Sequence, residues 1–112
     1  MIRRFILATT LAVSATLANA AEPILGNWKT AAGDTAVIAS CSGSYCITLK
    51  TGRYAGRKIG ILAGTGGTYV GEITYPAKDQ TYSGSGTVSG RSLRMKGCVM
   101  AVLCKSQTWT RL

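Results

Sequence analysis

The chain has 112 residues, with 13 Lys and Arg against 4 Asp and Glu, no histidine and 4 cysteines. That length holds one domain and one core. The missing histidine excludes Ser-His and Cys-His nucleophile pairs and histidine-ligated metals, so a non-catalytic protein without metal or cofactor is expected.

The N-terminus reads as an export signal over residues 1–20. Met1-Ile2-Arg3-Arg4 is a basic start, Phe5 to Leu17 is an apolar stretch, and Ala18-Asn19-Ala20 is a small-x-small cleavage site. The apolar stretch carries three threonines and a serine and is too short to cross a bilayer, so no transmembrane segment is expected. The remaining domain, residues 21–112, is assigned to the periplasm or the exterior, where cysteines oxidise. Setting Arg3 and Arg4 aside from the 13 basic residues leaves this domain at a formal +7 against its 4 carboxylates. Outside the cytoplasm that charge suits phospholipid or lipopolysaccharide phosphates, acidic glycans or an acidic protein, and not nucleic acid. Peripheral membrane contact is compatible with it. The domain is expected to be a monomer.

After residue 20 no apolar pattern keeps a helical period, and period-two alternation takes its place. Tyr45, Ile47 and Leu49 share a face, as do Tyr69, Ile73 and Tyr75, and Leu93 with Met95. Glycine- and Asp-bearing turn signals separate these runs: Ala32-Gly33-Asp34, Ser42-Gly43-Ser44, Gly64 to Gly67, Ala77-Lys78-Asp79 and Ser89-Gly90-Arg91. Strands are predicted to begin near Gly26, Asp34, Tyr45, Lys58, Thr68, Gln80, Ser92 and Lys105. Eight short strands at roughly ten-residue spacing predict an all-β antiparallel meander closing into a barrel or partly open barrel. Within one run, Ser83-Gly84-Ser85-Gly86 predicts a bulge or sharp bend. At this size, side chains are expected to fill most of the interior, which favours recognition at the surface.

Four cysteines allow three pairings, and C-x4-C and C-x5-C spacings do not match zinc knuckles. Cys41–Cys46 and Cys98–Cys104 are favoured, each joining residues across a hairpin and contributing about 2 kcal/mol. Cross-pairing, which closes longer loops at about 4 kcal/mol, stays open. The segment between Cys98 and Cys104 is wholly apolar. It is expected to fold onto the barrel end; left open, it forms an apolar patch beside Lys96 and Lys105.

Two groups of residues are candidates for function. Lys50, Arg53, Arg57 and Lys58 surround Tyr54 on one connection, a candidate anion-binding loop whose plain reading is a solvated basic turn. Glu72 and Asp79 are the ordinary acid–base equipment left, and their plain reading is an exposed strand residue and a turn aspartate. For barrel closure, Trp28 near the start of the domain and Trp109 with Arg111 near its end are the candidates. First and last strands of a meander barrel are neighbours, so an arginine from one can lie over a ring from the other.

A Gly26-x-Trp28 start with a late arginine resembles the lipocalin-like superfamily. A closer resemblance spans nearly all of residues 21–112. Gly26-x-Trp28-x-Thr30, Cys41 with Tyr45-Cys46, Gly71-Glu72-Ile73-x-x-Pro76, Thr81-Tyr82, Leu93-x-x-x-Gly97-Cys98 and Ser106-Gln107-Thr108-Trp109-Thr110-Arg111 follow one order and spacing. This is similar to the exported bacterial family known as domain of unknown function 2147. The resemblance implies a small antiparallel β fold in the cell envelope and brings no activity or catalytic residues. Members usually carry a longer segment after the cysteine pair, and here only Lys50 to Gly60 remains.

The expected role is therefore a binding module for an anionic or amphipathic envelope component. An inhibitor of a hydrolase is the alternative. Lysozyme, itself basic, would be repelled by the +7 domain, which leaves an acidic protease as the better target.

Overall fold

Alternating apolar residues place one face of each segment inward, and short turns reverse the chain between them. In a computed structural model, which describes residues 22–100 and 103–112, the strands are β1 Gly26–Lys29, β2 Thr35–Cys41, β3 Ser44–Leu49, β4 Lys58–Thr65, β5 Thr68–Tyr75, β6 Gln80–Ser89, β7 Ser92–Val99 and β8 Leu103–Arg111. Each begins within two residues of its predicted start. Every strand pairs antiparallel with the next, and β8 returns to β1, so the sheet is a closed barrel. The export signal assigned to residues 1–20 lies outside the described residues.

The closing seam is short. It pairs Trp28 with Arg111 and Lys29 with Thr110, whereas β5 and β6 pair over their whole length from Thr68–Thr87 to Tyr75–Gln80. Inward residues from all the strands meet in one core that includes Trp28, Ile38, Ile47, Leu62, Tyr69, Leu93 and Trp109. Burying each such side chain is worth about 1.5–3 kcal/mol.

The bulge does not lie where the glycines suggested. Ser83 to Gly86 pair without interruption on both sides, with β5 and with β7. The register shift falls between β3 and β4 instead, where Ile47 pairs with Gly60 and Thr48 with Lys58, leaving Ile59 as the extra residue. Ile59 is buried, so the bulge adds an apolar side chain to the core as it curls the sheet. The β6 glycines serve packing. A Cβ on Gly84 would sit 2.5 Å from Ile73 Cδ1, and one on Gly86 would sit 3.3 Å from Leu62 and Leu93. They make room for larger side chains from neighbouring strands.

The two ends of the barrel are connected differently. At one end the hairpins turn on two residues each, Ser42–Gly43, Gly66–Gly67 and Gly90–Arg91. Ser42, Gly43, Gly66 and Gly67 all have positive φ, the conformation that two-residue hairpins of the tightest kind require. At the other end the connections are longer, running over residues 30–34, 50–57 and 76–79.

Candidate functional site

The tight-turn end is sealed by the N-terminal segment Glu22 to Leu25. Ile24 is fully buried beneath it, and the Trp28 indole Nε1 donates to the Ile24 carbonyl at 2.9 Å. The Arg111 guanidinium lies 4.2 Å from the centre of the Trp28 ring. It donates through Nη1 to the Leu25 carbonyl at 3.0 Å and through Nη2 to the Pro23 carbonyl. One arginine thus ties the last strand to the first strand and to the plug.

A second tie is made by Glu22. Its carboxylate accepts from the Tyr69 hydroxyl at 2.7 Å and from the Gly66 amide at 2.9 Å. The Tyr69 oxygen in turn accepts from the Gly67 amide at 3.2 Å. Burial, reinforced by the hydrogen bond to the Glu22 carboxylate, pushes the Tyr69 hydroxyl up to about 12.

The long-loop end holds a cavity of about 240 Å³ with predominantly apolar walls. Leu49, Ile59, Ile73 and Met95 line it together with Tyr54, Tyr75, Tyr82 and Trp109. The cavity lies beside the packed core that fills the rest of the barrel. Gly97 lines the cavity on an inward position, and Ala32 and Ala77 contribute only methyl groups.

The aromatic walls are held by a chain of hydrogen bonds. The Trp109 indole Nε1 donates to Gln107 Oε1 at 2.9 Å, and Gln107 Nε2 donates to the Tyr75 hydroxyl at 2.9 Å. The Tyr75 ring stacks on Tyr82 with centroids 5.5 Å apart, and the Tyr82 hydroxyl donates to Gln80 Oε1 at 2.9 Å. Lys105, two residues before Gln107 on the same strand, pairs with Gly97 and lines the rim, as does Asp34.

The basic connection between β3 and β4 borders this mouth. Lys50, Arg53, Arg57 and Lys58 are exposed, but Tyr54 is half-buried, packs on the core and lines the cavity. Arg53 lies 5.7 Å from the centre of the Tyr54 ring. Arg57 is not free for a ligand in the same way as the lysines, since its Nη2 is 3.1 Å from Asp79 Oδ1. That contact also settles the carboxylate pair. Asp79 sits in the β5–β6 turn bound to Arg57, while Glu72 is exposed on the outer face of β5 opposite Ser83. The two carboxylates do not flank a common cleft.

Cys41 is bonded to Cys46 and Cys98 to Cys104. Cys98 and Cys104 are directly opposed in the β7–β8 ladder. Cys41 pairs with Ser44 and Cys46 with Ala39, so the first bridge crosses its hairpin diagonally, with Cα atoms 5.8 Å apart. In the apolar segment between the second pair, Met100 is 83% exposed and Leu103, at the start of β8, 68% exposed, so these residues do not fold onto the barrel end as expected. Ala101 and Val102 lie outside the described residues. The three residues proposed for closure divide by role: Trp28 and Arg111 make the seam, whereas Trp109 is a wall of the open mouth.

Tyr75, Gln107 and Lys105 were not singled out by the sequence as one site. Gln107 and Trp109 alternate along β8 and share its inner face, a signal present in the chain, but Tyr75 joins them only across the barrel.

Residues 59–111 match the model of a family described as an uncharacterized protein conserved in bacteria (DUF2147). No curated protein and no solved structure matches the chain.

Proposed function

We propose that this chain, whose residues 59–111 match the model of the uncharacterized bacterial family DUF2147, is a non-catalytic binding module whose open mouth takes an anionic or amphipathic component of the cell envelope. The observation that carries the reading is the apolar cavity at the long-loop end of the barrel, lined by Lys96 and Lys105 and reached by Tyr54 from the basic connection that carries Lys50, Arg53 and Lys58. Apolar walls with a few convergent polar groups are the usual form of a small-molecule site. The basic rim adds long-range attraction for anions that weakens with salt.

Two disulfides suit an oxidising compartment outside the cytoplasm, where anionic amphiphiles are abundant. Separation of the two candidate carboxylates supports a binding role over acid–base catalysis.

Binding of the purified protein to anionic lipid vesicles, lipopolysaccharide and peptidoglycan at low salt tests the proposal. Quenching or shift of Trp109 fluorescence reports occupancy of the mouth, and Trp28, sealed in the plug, contributes a constant background. Saturable binding that falls as salt rises is the expected result. Failure of all three materials to bind at low salt would overturn it.

A further inference from the structure

We infer that the mouth takes its ligand tail first and that the Tyr75 hydroxyl, with Lys105, holds an anionic oxygen headgroup, a carboxylate or a phosphate, on a single apolar chain. This inference rests on the mouth being the binding site and names its ligand class.

The direction of one hydrogen-bond chain carries it. An indole N–H can only donate, so Gln107 must turn Oε1 toward Trp109 and its NH2 group toward Tyr75. Tyr75 oxygen therefore accepts. Its own proton has no acceptor among the described residues, and the residue lines the cavity. The hydroxyl is half-buried at the mouth, and a ligand oxygen fits this donor in place of water.

Lys105 lies two positions from Gln107 on the same face of β8, about 7 Å along the strand. It makes no ion pair among the described residues. The opposed residue is Gly97, so no side chain stands across from it. Both groups are donors, one neutral and one positive, and together they select an acceptor that carries negative charge. The volume of about 240 Å³ falls below the ~300–1,000 Å³ of common ligand sites, which suits one tail and not a two-chain lipid.

The experiment compares three single-chain ligands with the same decyl tail, namely decanoate, decyl phosphate and decyltrimethylammonium. Each is titrated into the intact disulfide-bonded protein at low salt, with Trp fluorescence and calorimetry as readouts. Decanoate or decyl phosphate is expected to bind at least about tenfold more tightly than the cation, and the stronger of the two identifies the head. Tyr75→Phe is expected to lower affinity for that anion by about tenfold with little effect on the cation, and Lys105→Gln to flatten the salt dependence. Near-UV circular dichroism checks that the variants keep the wild-type fold, and the comparison of heads needs no variant. Equal binding of all three ligands, or an anion preference that survives both substitutions, would overturn the headgroup assignment while leaving the mouth as a binding site. No binding of any of the three would instead remove the reading on which it rests.

Discussion

The two ends of this barrel are built from the same alternation of residues yet reach opposite outcomes. At the sealed end, two-residue turns hold the strands close, and Glu22 to Leu25 fill the remaining gap with Ile24. Each polar group brought in with that plug finds a partner: Glu22 with Tyr69, Trp28 with Ile24, and Arg111 with Pro23 and Leu25. At the open end the connections are longer, and the residues lining the cavity include the small Gly97, Ala32 and Ala77. Side-chain ties to the plug are concentrated at one end, and the cavity lies at the other.

Substitutions at the two ends should separate sharply in stability. Trp28→Ala is expected to cost about 3–5 kcal/mol in denaturant unfolding, because it empties a fully buried site and removes the support of Arg111. Tyr54→Ala, on a half-buried wall of the mouth, should cost less than half as much. Equal losses would erase the distinction between the ends.

Tyr69→Phe is expected to cost about 1.5–3 kcal/mol at neutral pH by removing a hydrogen bond to a carboxylate. The wild-type protein also carries a pH signature here. Because the Tyr69 hydroxyl is raised in the fold from 10.0 to about 12, unfolding releases its proton first. Its stabilisation is whole below pH 10 and disappears as pH rises to about 12. Unfolding free energies measured across that window should fall in wild type and fall less steeply in Tyr69→Phe.

Replacing Cys98 and Cys104 together by serine should cost about 2 kcal/mol, and the same for Cys41 and Cys46, since both loops are short. The bridges brace opposite ends, so a similar cost at each would show that covalent loop closure is indifferent to the packing contrast. The smallest effect belongs to the exposed pair at the mouth. Asp79→Asn is expected to change stability by about 0–1 kcal/mol. It should also release Arg57 and strengthen anion binding at low salt, which titration with decanoate would detect.

Strand positions were legible in the chain because their causes are local. Alternation over four to ten residues and turn residues between runs mark the elements without reference to anything distant. Gly84 shows where that legibility stops. A glycine inside a strand is equally compatible with a bend and with a large neighbour, and only the position of Ile73 on the adjoining strand decides between them. The basic loop was visible as a cluster of charges, whereas Tyr54 at its centre proved to face the interior. Adjacent residues on a loop need not share an environment.

Composition and periodicity by themselves determined an all-β meander, the approximate start of every strand and a strongly basic domain, because side-chain alternation and charge are properties of short windows. Tertiary structure alone decided that one end is plugged and the other hollow, and that Tyr75, 32 residues from Gln107, completes the mouth. The physical reason is that curvature and closure bring inner faces of distant strands together, and the volume left between them depends on every inward side chain at once.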